Sequence, residues 1–211
     1  VLRLDQAERD FLFNLARPAG VGRGGALPTV RPGIVRMLAH LDNQPAFVLG
    51  PRMEVLAGND LTWALLADFP SRPVGDRNLL RWILTEPAAR ELYVDWGVIA
   101  SELVGVLQLE ASARPRDPDI VALVRELTAT SEEFREWWVR TNPQGRTSGR
   151  KHFRHPVVGD VTVDWEAFAV PDDATQTVFM YTAADADSDA ALRRLGEWRV
   201  SASTDAGETP S

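Results

Sequence analysis

The sequence predicts an α+β domain in which helices cover an antiparallel sheet. Residues 161–167 alternate between apolar and polar side chains, the period of a strand with one buried and one solvated face. Residues 177–182 are apolar at both parities, as expected of a central strand that is covered on both faces. Between residues 59 and 139 the apolar positions instead follow helical spacing, which indicates the covering layer.

Three further strands complete the predicted sheet. Residues 47–50 and 53–57 flank the dipeptide Gly50-Pro51, which is a hairpin signal. Another strand ends before a turn at residues 156–160, and residues 161–167 follow that turn. Two early strands, inserted helices and a three-stranded meander give a five-stranded antiparallel sheet whose inserted helices cover one face. This is the layout of a PAS-like fold.

Most predicted helices begin at a capping residue, whose side-chain oxygen accepts from a backbone N–H that the helix leaves unpaired. The predicted starts are Asp5, Ile34, Asn59, Asn78, Glu86-Pro87, Asp95, Asp117-Pro118, Ser131 and Ser188. The expected organisation is a first helical segment, a linker rich in Gly and Pro, the main domain and a disordered polar tail. These parts span residues 1–18, 19–33, 34–200 and 201–211, respectively.

Composition and charge exclude several classes of protein. The chain has 23 basic and 30 acidic residues and a net charge of −7, so it lacks the clustered cations that phosphate contacts need. It contains no cysteine, which excludes disulfides and thiolate zinc sites. No apolar run reaches the roughly 20 residues of a membrane span. We therefore expect a cytoplasmic protein without a cofactor, which contacts no membrane and does not bind DNA through this chain alone.

Motifs for catalysis or metal binding are weak. Residues 20–25 match a dinucleotide fingerprint letter by letter, but a predicted helix precedes them and prolines follow, so they suit a linker better. His152 and His155 lie three apart in a predicted strand, which sends their side chains to opposite faces and does not suit a shared metal ion. We expect no enzyme, although two alternatives remain open. They are a hydrolase or isomerase site assembled in three dimensions and a pure dimerisation module.

Six short motifs occur in a fixed order between residues 32 and 198. They occupy residues 49–57, 77–82, 95–96, 131–137, 149–159 and 178–183, and the longest of them reads GRKHFRHPVVG. In this order and spacing they resemble the ligand-binding domain of MmyB-like transcription regulators, bacterial proteins of the XRE helix-turn-helix class. Residues 2–12 are similar to the last helix of that family's DNA-binding domain.

The resemblance implies a PAS-like fold and a pocket that accepts a fatty-acid-like effector. It also implies a homodimer that reaches duplex DNA only through an N-terminal helix-turn-helix domain preceding this chain. Two places depart from the family pattern: Gly58 replaces an aromatic residue, and residues 140–143 replace a His-Asp pair. If those positions contact the effector, we expect an effector that differs from the one the family resemblance implies.

The seven tryptophans and eight phenylalanines either fill the core or help to enclose a cavity for an apolar ligand. Strand parity places Phe47 with Leu49, and Phe179 with Tyr181, on shared faces of the sheet. The predicted lining consists of Phe47, Leu49, Trp63, Leu66, Trp82, Ile83, Ile99, Leu103, Trp138, Phe153, Phe179 and Tyr181. By motif position, the candidates to bind a carboxylate head group near the mouth are Arg52, Arg81, Arg154 and His155.

Overall fold

Five antiparallel strands form one sheet. The computed structural model describes residues 28–140, 145–171 and 173–205. The strands are β1 (Ala46–Leu49), β2 (Val55–Gly58), β3 (Ser148–His155), β4 (Gly159–Val170) and β5 (Asp173–Ala183). Their order across the sheet is β2-β1-β5-β4-β3, so the last strand in the chain lies in the centre. The predicted α+β class and the five-stranded antiparallel sheet are confirmed.

The central strand β5 is buried on both faces, which explains its apolar residues at both parities. Phe179 pairs with Phe47 of β1, and Tyr181 pairs with Trp165 of β4. Tyr181 is fully buried on the inner face of the sheet, and Val178 is buried on the outer face. The apolar residues at both parities of β5 therefore reflect the two cores that cover the two faces of the sheet.

Eight α-helices lie within the described residues. They are α1 (Pro32–Ala39), α2 (Asp60–Leu65), α3 (Leu79–Thr85), α4 (Pro87–Leu92), α5 (Trp96–Ala113), α6 (Pro118–Thr130), α7 (Glu132–Arg140) and α8 (Ala186–Asp205). Helices α2 to α7 are inserted between β2 and β3. Together with α8 they build the main hydrophobic core on the inner face of the sheet. Helix α1 packs on the outer face, where Leu38 joins a second, smaller core with Val48 and Val178.

Predicted capping side chains hold four of the eight described helices at their expected starts. Asn59 accepts from the backbone N–H of Thr62, and Asn78 accepts from that of Arg81. The Ser131 hydroxyl accepts from the N–H of Phe134 at 3.0 Å. Each of these side chains satisfies a donor that the first turn of a helix leaves unpaired, so the local signal decides the boundary.

Helices α2 and α8 differ from their predicted boundaries. Helix α2 ends at Leu65 rather than near Phe69, and residues 69–71 form a separate short 3-10 turn. The cap of α8 is Asp185, whose side chain accepts from the N–H of Ser188 at 2.7 Å. The predicted cap at Ser188 is wrong, because its hydroxyl instead accepts from the N–H of Thr162 in β4.

The predicted first helix and most of the linker lie outside the described residues. Helix α1 begins at Pro32, two residues earlier than expected, because proline suits the first position of a helix. At the other end, α8 continues to Asp205, so residues 201–205 are helical rather than part of the expected tail. No helix within the described residues is long and apolar enough to cross a membrane.

Candidate functional site

A cavity of about 200 Å³ lies between α5 and the inner face of the sheet. Its residues on α5 run from Ile99 to Glu110, eleven positions apart, which corresponds to about 16 Å along the helix at 1.5 Å per residue. The cavity is therefore extended along α5, and it is partly open to solvent.

The middle of the cavity is apolar on both walls. Its lining consists of Leu49, Gly50, Pro51, Met53, Ile99, Ser101, Glu102, Leu103, Gly105, Val106, Glu110, Arg146, Lys151, Trp165, Ala167, Ala174, Thr175, Thr177 and Phe179. Helix α5 supplies branched aliphatic side chains, and the sheet supplies Trp165 and Phe179. An apolar wall with a few charged groups is the usual character of a site for a small organic molecule.

Lys151 brings a buried positive charge to this cavity. It lies on β3 at the same parity as Phe153 and His155, so its side chain enters the inner layer, and only 8% of its surface is exposed. Nζ donates to the hydroxyl of Tyr181 at 3.1 Å and lies 5.0 Å from the ring centroid of Trp165. Burial lowers the pKa of Lys151 to about 8, although the charge of Glu102 acts in the opposite direction.

None of the ion pairs formed within the described residues includes Lys151. The other charged groups around the cavity are paired with each other. Arg146 contacts Glu102 at 2.9 Å, and Arg114 contacts Glu110 one helical turn away. Burial raises the pKa of the Glu110 carboxyl, and Arg114 partly offsets that effect. The cavity thus has neutralised carboxylates on α5 and one cation without a carboxylate in contact.

The loop between β1 and β2 closes one part of the cavity wall. Met53 has a φ of 64°, a left-handed conformation that is uncommon for a residue other than glycine, and its side chain is buried. The loop is held by Arg52, which contacts Glu54 within the loop and Asp119 on α6. A backbone in this conformation persists only when its surroundings fix it, so this part of the wall is firmly placed.

Four of the predicted lining residues reach the cavity, namely Leu49, Ile99, Leu103 and Phe179. Six others belong to the buried core beside it, namely Phe47, Trp63, Trp82, Ile83, Phe153 and Tyr181. Leu66 packs on the core, and Trp138 lines a separate depression between α5 and α6. Tyr181 touches the cavity only indirectly, through its hydrogen bond to Lys151.

The core beside the cavity contains an unbroken series of aromatic contacts. Neighbouring ring centroids lie between 4.9 and 6.2 Å apart. In order, the rings are those of Trp63, Phe69, Trp82, Tyr93, Phe153, Tyr181, Phe47, Phe179 and Trp165. Most of these aromatic residues therefore fill the core, and the last two form part of the cavity wall.

The four predicted head-group cations lie outside the cavity lining. Arg52 is held by Glu54 and Asp119, and Arg81 makes two hydrogen bonds to Glu126, at 2.6 and 2.8 Å. The Arg154 side chain is 70% exposed and sits opposite Asp160 in the neighbouring strand.

His155 is buried but is engaged by the backbone. Its Nε2 lies 3.0 Å from the carbonyl oxygen of Ala64, and the N–H of Val157 donates to its Nδ1 at 3.2 Å. A neutral imidazole fits these contacts, because Nε2 then donates and Nδ1 accepts. Burial also lowers the pKa of His155, which favours the neutral form. His152 is exposed on the opposite face, as its spacing predicts.

Lys151, which lines the cavity, is absent from the residues predicted for the site. A signal for it was present, because Lys151 shares its parity with Phe153 in a strand whose other parity is polar. The tryptophan at the cavity wall, Trp165, was placed on the buried face of its strand but not at the site. Strand parity can identify the inner layer, whereas the empty space within that layer depends on three-dimensional packing.

Comparison with known families agrees with this architecture. Residues 30–195, well over half of the chain, match the family model described as the MmyB-like transcription regulator ligand binding domain. The chain belongs to the MmyB-like family. None of the curated proteins compared with this MmyB-like domain is significantly similar to it.

The structure explains one departure of this MmyB-like domain from its family pattern. A Cβ atom on Gly58 would lie 2.5 Å from the indole ring of Trp63 and 3.1 Å from the Cβ of Phe47. Trp63 therefore occupies the space beside residue 58 and excludes a second aromatic side chain. At the other departure, Arg140 ends α7, and residues 141–144 lie outside the described residues.

Proposed function

We propose that this MmyB-like domain senses an apolar or amphipathic, fatty-acid-like molecule in the cavity beneath α5. In this proposal, the bound effector controls DNA binding by a helix-turn-helix domain of the same regulator. The observation that carries the proposal is the cavity itself, which is extended along a helix, apolar in the middle and open at its edge. A chain-shaped molecule matches that form better than a compact polar one does.

The volume of the cavity limits what it holds. An apolar cavity of about 150 Å³ is enough to bind benzene, whereas drug-sized ligands occupy about 300–1,000 Å³. At about 200 Å³, the cavity suits a small apolar molecule or one section of a longer chain. Because the cavity is partly open, the remainder of a longer chain has a route to the surface.

The effector acts only if it binds two conformations of the regulator with different affinities. Helix α5 is the element through which such a difference would pass, since it lines the cavity and also packs against α4, α6 and α7. We further propose that the regulator is a homodimer, as is common for proteins that read symmetric DNA sites. Light scattering of the chain with and without effector tests that part.

The binding proposal is tested with straight-chain acids and alcohols of 8 to 14 carbons, measured by thermal unfolding. A ligand at 100 times its dissociation constant stabilises the folded state by about 2.7 kcal/mol. For a domain of this size, that corresponds to a rise in melting temperature of roughly 5–10 °C. Unchanged melting temperatures with every ligand would refute the proposal.

A pair of variants on one strand links any effect to the cavity. Ala167→Phe places a ring in the cavity, because Ala167 lies in its wall. Ala169→Phe makes the same chemical change two residues along β4, where the side chain is exposed and outside the lining. We expect the first variant to lose the ligand-induced shift and the second to keep it. Equal shifts in both would place the binding site elsewhere.

A further inference from the structure

We infer that Lys151 is the head-group-binding residue of the cavity and that the effector carries an anionic oxygen group, a carboxylate being the simplest. This inference rests on the proposed function and specifies the chemistry of the same site. It replaces the four cations predicted from the sequence, Arg52, Arg81, Arg154 and His155, none of which lines the cavity.

The electrostatic surroundings of Lys151 favour a bound anion. A buried cation is costly unless an anion or several hydrogen bonds compensate for lost water. In the described residues, the ammonium group of Lys151 has one hydrogen bond, to the hydroxyl of Tyr181, and contacts the ring faces of Trp165 and Tyr181. Burial raises the pKa of Tyr181, so its hydroxyl stays neutral and supplies no counter-charge.

The charged group that faces Lys151 from α5 does not neutralise it, so an anion can bind there. Glu102 on α5 lines the same cavity, but its carboxylate is engaged by Arg146 at 2.9 Å and forms no ion pair with Lys151. Three N–H donors are available on an ammonium group, and Tyr181 accepts one of them. The remaining two can donate to the oxygens of a carboxylate that reaches this end of the cavity.

The residue type at position 151 is also consistent with an anionic effector. Lys151 is the only lysine in a chain with 23 basic residues, and the described ion pairs of the surface are all made by arginine. Arginine keeps its charge under all conditions, whereas a lysine in an apolar layer can lose its proton. With its pKa lowered to about 8, Lys151 keeps most of its charge near neutral pH in the empty cavity, and an anionic effector would raise that pKa by stabilising the ammonium form.

The first test compares decanoate with 1-decanol, which share a chain and differ in the head group. Titrations follow binding to the wild-type chain and to two variants. Lys151→Met removes the cavity cation, and Arg150→Met removes a cation from the adjacent, outward-facing position on β3, where Arg150 pairs with Asp164. We expect the wild type and Arg150→Met to bind decanoate at least tenfold more tightly than decanol. We expect Lys151→Met to lose that preference while still binding decanol, which also shows that it folds.

The second test uses the single lysine directly. In protein labelled with ¹³C at lysine Cε, Lys151 gives one resonance, whose pH titration reports its protonation. Decanoate should move the midpoint of that titration upward, because a carboxylate stabilises the charged amine, whereas decanol should not. This readout does not depend on any substitution.

The outcomes separate this inference from the proposed function. If decanoate and decanol bind equally well and the Lys151 midpoint does not move, the cavity binds chains but the head-group role is wrong. If neither compound binds the wild type, both the proposed function and the inference fail. If decanal is trapped on Lys151 by borohydride while decanoate does not compete, the amine acts as a nucleophile and the inference is overturned.

Discussion

Replacing Lys151 with methionine should stabilise the domain when no ligand is bound. Methionine has a similar length and no charge, so the change removes the buried ammonium group and keeps much of the packing. The pKa of Lys151 falls from its ordinary value of 10.5 to about 8, chiefly through burial. At 1.36 kcal/mol per unit, this difference corresponds to a cost of roughly 3 kcal/mol for holding the charge in the folded protein near neutral pH.

The Lys151→Met variant loses part of this gain in stability. The hydroxyl of Tyr181 would no longer receive a hydrogen bond from residue 151, and an unpaired buried polar group costs about 1–2 kcal/mol. We therefore expect Lys151→Met to raise the free energy of unfolding by about 1–2 kcal/mol at pH 7. For a domain of this size, the melting temperature should rise by roughly 3–6 °C.

The pH dependence of stability gives the decisive measurement. Above pH 8 the folded wild type loses the Lys151 proton before the unfolded chain does, so its stability should rise by about 2 kcal/mol between pH 7 and 9.5. Lys151→Met lacks this group, and the difference between the two proteins should shrink over the same range. Urea denaturation of ligand-free protein measures both quantities. Parallel pH profiles for the two proteins would show that the amine is well solvated, and the argument from burial would fail.

Three further predictions concern the framework of the fold. Asn59→Ala should lower the free energy of unfolding by about 3 kcal/mol in urea, because this buried cap makes hydrogen bonds to both β1 and α2. Gly58→Ala should cost about 1–3 kcal/mol in the same assay, since a Cβ meets the neighbouring indole ring at 2.5 Å, whereas Gly97→Ala meets nothing and should be neutral or slightly stabilising. Because burial lowers the pKa of His155, stability should fall as the pH drops below about 6.5, and His155→Gln should flatten that profile while the exposed His152→Gln does not.

Local signals in the sequence predicted most of the fold. The caps at Asn59, Asn78 and Ser131 stand where expected, because the groups they satisfy lie within three residues. The cap of α8 was placed wrongly because Asp185 and Ser188 carry equally good local signals. The choice between them depends on Thr162, which binds Ser188 from another element.

The site was only partly predictable, because contacts between residues distant in the sequence determine which side chains border the cavity. Apolar spacing identifies Trp82 and Leu103 equally well as inward-facing, but only the second borders empty space. Arg81 appeared free to bind a ligand, because its partner Glu126 lies 45 residues away in the chain. Lys151 was overlooked because a charged residue in an edge strand usually faces water. Its partner, Tyr181, lies two strands away in the sheet.

The two walls of the cavity are supported by different elements. Phe179 and Trp165 are backed by the continuous series of nine packed rings, and a close-packed layer of this kind resists compression. Much of the opposite wall is formed by helix α5, with Gly105 among its lining residues and α6 and α7 packed against the helix. An effector longer than the cavity should therefore displace the helix and leave the sheet in place. The displacement would then reach α6 and α7, which pack against α5, while the strands keep their positions.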